Sequence, residues 1–181
     1  MKKIISLVIA ACLGSLFGFS QNALKKIILP GNKIELLVPK DFLEMTPDMI
    51  AIKYSNASDK PDWVLTDATG KLTLNYSLKS AEIDDNGIPG YTDQLLSALK
   101  AGGNNITPVD DGIFLQDGKN IGYIKFISQK EDKKIFNFLF YLSVENLLAL
   151  FEFTCIKKWR KKWENKVEEM ANSIKLKTEL K

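Results

Sequence analysis

The 181-residue chain reads as an α+β domain with an antiparallel sheet built from hairpins. Paired apolar runs are separated by only two to four turn residues, connections too short to join parallel strands. Helical periodicity falls between and after these pairs, as an α+β arrangement requires. The composition, 45% hydrophobic and 26% charged, is that of an ordinary globular domain and sets aside disorder and collagen-like repeats.

The chain opens on Met1-Lys2-Lys3 and an uncharged apolar stretch from Ile4 to Phe19, the pattern of a secretory signal peptide. Small residues Gly18 and Ser20 stand where a signal peptidase reads, so residues 1–20 are expected to be removed, leaving residues 21–181 as one domain beginning at Gln21. Sixteen apolar residues fall short of the ~20 that span a bilayer, so no transmembrane span is expected in the mature form. The alternative at this end is lipidation of Cys12 after Ile9-Ala10-Ala11, which would anchor the protein by acyl chains. The expected location is therefore periplasmic or extracellular. Losing Lys2 and Lys3 lowers the formal charge from +3 to +1, which leaves no basic excess to suggest a nucleic-acid partner.

Ile34 to Val38 forms a short strand ending at Pro39, and Thr46-Pro47-Asp48 caps a short helix running to about Tyr54. Asn56 to Pro61 is turn chemistry. Trp63–Thr66 and Lys71–Lys79 flank Asp67-Ala68-Thr69-Gly70 as the first hairpin. In its second arm Leu72, Leu74, Tyr76 and Leu78 face the core, and Lys71, Thr73, Asn75, Ser77 and Lys79 are expected on a face that is at least partly solvated. A loop from Asp84 to Gly90 precedes a helix capped by Thr92, with an apolar stripe of Leu95, Leu96 and Leu99, stopped at Gly102-Gly103.

The second hairpin pairs Ile113–Gln116 with Asn120–Ser128 around Asp117-Gly118. The third pairs Ile135–Val144 with Leu147–Ile156 around Glu145-Asn146. Phe136, Phe138, Phe140 and Leu142 mark the third as central. A final helix from about Lys158 to Lys175 carries Trp159, Trp163, Val167, Met170 and Ile174 as one stripe laid on the sheet.

The run Val38-Pro39-Lys40-Asp41-Phe42, the small helix after it, the Lys71–Ser77 strand, Tyr123-Ile124-Lys125-Phe126, and Phe151-Glu152-Phe153-Thr154-Cys155 before a Trp159-containing helix and Asn172-Ser173-Ile174 together resemble the PsbP-like family. The resemblance spans nearly all of Ile34 to Ile174 and rests on element order. It implies an α/β/α sandwich of the kind found in extrinsic photosystem II subunits, a nuclear Ran-regulating factor and bacterial envelope proteins. It also implies a binding or accessory role without a shared active site.

The chain holds no histidine, which removes Ser-His-Asp and Cys-His catalysis and the usual zinc sites. Beyond Cys12 the sole cysteine is Cys155, at period two with Phe151 and Phe153 and so expected in the core. Glu82, Asp84, Asn86 and Asp93 approximate the spacing of a calcium loop, but Glu and Asp are exchanged at its first and last positions, Pro89 interrupts it, and no helix leads in. An Asx-rich turn capping the next helix is the preferred reading of the run.

Lys157, Lys158, Arg160, Lys161 and Lys162, interleaved with Trp159 and Trp163, form a candidate partner surface. The tryptophans, however, are in register with Val167, which makes the cations the solvated flank of a core helix. Ser97-Ala98-Leu99-Lys100 has the spacing of a Ser-Lys dyad without its companion motifs. Asp84-Asp85 and Asp110-Asp111 are loop carboxylates that a small secreted hydrolase could use. No catalytic residue and no cofactor emerges. The sequence favours a non-catalytic module that binds a protein or another component of the cell envelope.

Overall fold

The computed structural model describes residues 23–31, 33–55, 60–101, 105–130 and 132–177. The signal-peptide and Cys12 readings, the Gly102-Gly103 stop and most of the Asn56–Pro61 turn lie outside the described residues.

Seven strands form the main sheet in the order β3(Leu43–Glu44), β4(Trp63–Thr66), β5(Thr73–Glu82), β9(Leu147–Ile156), β8(Lys133–Val144), β7(Lys119–Lys130) and β6(Ile106–Gln116), every neighbouring pair antiparallel. All three expected hairpins are present. The turns Asp117-Gly118 and Glu145-Asn146 have positive φ at both central residues (48° and 72°, 53° and 63°), the geometry whose twist matches a two-residue antiparallel connection. Strand β6 begins seven residues earlier than its apolar run suggests, and Asp110 and Asp111 lie inside it beside an irregularity in register, not in a loop.

One face of this sheet carries Phe136, Phe138, Phe140, Ala149, Phe151, Phe153 and Cys155. Phe140 and Phe151 stack at 4.7 Å and 6° across the central pair. This face is covered by α3(Arg160–Asn172) and by a small second sheet of β1(Leu24–Ile28), β2(Ile34–Pro39) and β10(Lys175–Leu176). Strands β1 and β10 were not expected. Both are short and charged, and they are recruited by β2, which offers hydrogen bonds on both edges.

The terminal helix ends at Asn172, not Lys175. Ser173 Oγ donates to the Met170 carbonyl and accepts from the Leu37 N–H, turning the chain into β10. Its first turn, Lys157–Trp159, is a 3-10 turn.

The opposite face carries α2(Ile88–Ala101), whose Leu95, Leu96 and Leu99 pack on Ile124, Phe126, Leu139, Tyr141 and Leu148. Thr92 is not its N-cap. Asp84 Oδ1 accepts from the Gly87 N–H at 2.7 Å and starts a 3-10 turn, Asp85–Gly87, so the helix begins at Ile88. Thr92 instead lies buried within the helix, donating to the Ile88 carbonyl and accepting from the Tyr141 hydroxyl. Helix α1(Pro47–Lys53) is capped by Thr46 as expected and buries none of its residues. The layers are thus helix, sheet, and helix with a small second sheet, an α/β/α sandwich.

Candidate functional site

The face under α2 is divided. Successive rows across β5, β9 and β8 read Thr73–Thr154–Asn137, Asn75–Glu152–Leu139 and Ser77–Leu150–Tyr141, so side chains turn from polar to apolar on moving toward α2. The helix covers the apolar part. The polar part floors an open groove between the end of α1 and Tyr91 of α2.

Of the face expected to be at least partly solvated, Lys71 is exposed and Lys79 half-buried, but Thr73, Asn75 and Ser77 between them are buried. Leu78, expected on the core face, is exposed. Burial of the polar side comes from neighbours that the strand pattern does not encode: Tyr54 beyond α1 on one side and β9 on the other.

A chain of hydrogen bonds crosses the floor. Tyr54 Oη donates to Asn75 Oδ1 at 2.7 Å, and Asn75 Nδ2 donates to Glu152 Oε2 at 3.1 Å. Thr73 and Thr154 hydroxyls meet at 2.7 Å, and Asn137 Nδ2 donates to Ser128 Oγ at 2.9 Å. Because each Asn75 group is used once, its amide orientation is set by Tyr54 as donor and Glu152 as acceptor.

Two adjoining depressions of about 540 and 550 Å³ share Tyr54, Asn75 and Glu152, a size that admits a small ligand. Burial raises the Glu152 carboxyl above its ordinary range despite the opposing pull of Asn75 and Lys79, and burial likewise raises Tyr54. Lys53, lowered by burial and donating to the Gly70 carbonyl, stands at the rim. The groove therefore offers one reluctant carboxylate, the phenols of Tyr54 and Tyr91, the amines of Lys53, Lys71 and Lys79 and several neutral donors and acceptors, suited to holding a polar molecule. Glu152 is the one carboxylate lining the groove among the described residues, so the paired-carboxylate geometry of glycoside hydrolysis is not assembled there.

The chain matches no protein-family model and no curated protein. Among solved structures it is similar to cyanobacterial PsbP (CyanoP) from Synechocystis, at 14% identity and a TM-score of 0.62 over 91% of this chain and 99% of that one. LpqN, involved in cell envelope biogenesis of Mycobacterium tuberculosis, superposes with a TM-score of 0.59 at 10% identity, over 86% and 91% of the two chains. A mutant of Mog1 gives 0.51 at 12%, over 85% and 96%. The fold is PsbP-like. At these identities the likeness carries the architecture and no site residue.

Within this PsbP-like fold the residues singled out from sequence are dispersed. Asp84 is engaged as a cap. Asp85 accepts from the Asn120 backbone and side-chain amides at 2.9 and 3.1 Å, and Glu82 ends β5. Asn86 lies in the 3-10 turn and Asp93 on the exposed side of α2, and no group of three or more acidic or cysteine side chains able to hold a metal occurs among the described residues. Ser97 and Lys100 are both exposed.

Asp110 is on the opposite face, bound to Lys125 Nζ at 3.1 Å, with Tyr123 Oη donating to it at 3.3 Å. Lys125 is buried between β7 and α3, where Glu168 at 2.5 Å and Glu164 at 3.4 Å complete its ion pairs. Burial would lower its pKa, and the bonds from Glu168 and Asp110 outweigh that and raise it. Asp110 and Asp111, neighbours in β6, thus point to opposite faces, and Asp84, Asp85 and Asp110 are each engaged with different partners.

In the basic cluster Lys157, Lys158, Lys161 and Lys162 are exposed, whereas Arg160 is held by both oxygens of Glu164 at 2.7 and 3.1 Å. Trp163 is buried against Phe42 and Phe153. Cys155 is buried as expected, and burial pushes its thiol up to about 12, far from a reactive thiolate. Sequence reasoning passed over Tyr54 and Glu152. Glu152 did carry a signal, as a lone acid within an otherwise apolar central strand.

Proposed function

We propose that this protein is an exported, non-catalytic accessory module of the cell envelope that binds a small polar ligand in the groove floored by Asn75 and Glu152. The observation that carries the reading is the Tyr54–Asn75–Glu152 chain: a polar floor, buried at Asn75, left open where α2 does not cover β5 and β9. Buried polar groups are costly unless satisfied, and satisfying them while leaving them open to a groove is characteristic of a recognition surface. The charge-free stretch from Ile4 to Phe19 supports export, and a fold shared with LpqN is compatible with an envelope setting. Among the described residues no helix is long and apolar enough to cross a membrane.

The test has two parts. Mass spectrometry of protein recovered from its producing cell should find an N-terminus at Gln21; a lipidated Cys12 would replace the soluble form with an anchored one. NMR titration of the 15N-labelled protein with a panel of polyols, sugars and small amines should move the Asn75 side-chain amide saturably with at least one compound. Asn75→Ala should abolish that response without unfolding the domain. A hydrolytic turnover lost in Glu152→Gln would overturn the non-catalytic reading.

A further inference from the structure

The seven-stranded sheet ends on β6, an eleven-residue strand with β7 on one side and no strand on the other among the described residues. Such an edge presents alternate N–H and C=O groups to whatever extended chain approaches. Its two halves differ. The first contains Pro108, the register irregularity and Asp110-Asp111, devices that discourage pairing. The second, Gly112 to Gln116, runs in unbroken register with Ile121-Gly122-Tyr123 and flanking residues of β7 and carries none of them.

This second half is also where apolar surface is left uncovered. Leu115 is 71% and Ile113 40% exposed, both on the α2 face but past the end of its cover, while Phe114 points to the other face and packs on Tyr123. Acidic residues bracket it. Asp111 precedes on the same face as Ile113 and Leu115, and Asp117 follows in the turn, both exposed. The bracket argues against a second copy as occupant: the two-fold antiparallel register that sets Ile113 against Leu115 of the other copy also brings Asp111 of each copy to the turn that holds Asp117 of the other, and like charges brought together are destabilising.

We propose that Gly112–Gln116 is a strand-addition site for an extended segment of a partner protein, antiparallel to β6. The segment carries two apolar residues at alternate positions opposite Leu115 and Ile113, and a basic residue at the next alternate position on each side, opposite Asp117 and Asp111. Main-chain hydrogen bonds supply the attachment, and the apolar pair and flanking charges supply the register. The surface is separate from the polar groove, so either can fail without the other.

The test uses the 15N-labelled protein and a capped seven-residue peptide with Lys at positions 1 and 7, Val at 3 and 5 and Thr between. Amide shifts confined to Gly112–Gln116 and the facing β7 residues are expected to saturate at about 0.1–1 mM peptide, as suits so small an interface. Leu115→Lys, a change at an exposed position, should weaken binding about tenfold with the melting temperature unchanged. Asp111→Lys should shift preference toward the same peptide with Glu in place of Lys. Any of four results overturns the proposal: no saturable shift at about 5 mM, shifts centred on Asn75 and Glu152, equal binding of the Lys- and Glu-flanked peptides to the unaltered protein, or concentration-dependent dimers in sedimentation that Leu115→Lys abolishes.

Discussion

The two ends of one sheet face make the instructive contrast in this molecule. Under α2, the face carries Ile124, Leu139, Tyr141 and Leu148, and its principal polar contact, Tyr141 Oη to Thr92 Oγ1 at 2.8 Å, is sealed between sheet and helix. A few ångströms along the same strands, Asn75, Glu152, Thr73 and Thr154 bond to one another at the floor of an open groove. At the covered end burial is nearly complete and excludes water from carbon; at the open end Thr73 and Asn75 are buried, Glu152 and Thr154 half-buried, and the polar atoms still face a cavity. The covered end contributes stability through apolar burial, and the open end buries polar groups, which stabilises less.

Replacing Tyr141 with Ala should produce the largest effect. It removes a fully buried ring, its edge-on contact with Tyr91 at 5.2 Å and the bond to Thr92. A loss of about 4 kcal/mol in chemical denaturation is expected. Burial raises the Tyr141 phenol to about 12, so the bond to Thr92 should persist through ordinary alkaline conditions.

An intermediate effect should follow from Gly122→Ala. A Cβ there would stand 2.4 Å from Tyr141 Cε2 and 2.8 Å from Thr92 Oγ1, so the glycine is required for the ring to lie flat across β7. A cost of about 1–3 kcal/mol is expected, and in the Tyr141→Phe background that cost should shrink little, because the ring and not the hydroxyl makes the closest approach. Full relief in that background would place the clash at the hydroxyl instead.

The smallest effect, and opposite in sign, is expected at the open end. The folded state holds the Glu152 proton more tightly than the unfolded chain does. Below the ordinary carboxylate range both states are protonated and nothing is lost. As pH rises through that range the unfolded state ionises first, and stability falls until the raised folded pKa is passed. Glu152→Gln, which keeps an oxygen to accept from Asn75, should match the native protein in melting temperature at acid pH and exceed it at neutral pH. A gain that is the same at every pH would show that the ionisation is not its source.

Much of the fold was legible in the residues, because hairpins and amphipathic helices are written locally. Asp117-Gly118 and Glu145-Asn146 set their turns, Thr46 capped its helix, and the Trp163-Val167-Met170 stripe found the sheet. Misreadings arose where a distant partner decided the outcome. Thr92 looks like a cap until Asp84 starts the helix earlier, and β10 is a strand only because β2 has a free edge. Of the candidate site, Asn75 was visible as one member of a polar strand face, but its enclosure was not, since Tyr54 and Glu152 reach it from 21 and 77 residues away.

The sequence by itself determined the class of fold, the apolar faces, the absence of histidine chemistry and the burial of Cys155, all consequences of residue type and short-range periodicity. Only the tertiary structure decided that the polar side of β5 is a groove floor and that β6 is an edge of the sheet among the described residues. Period-two alternation states which side chains share a face. What covers that face, and how far the cover extends, depends on contacts between residues far apart in the chain, which alternation does not encode.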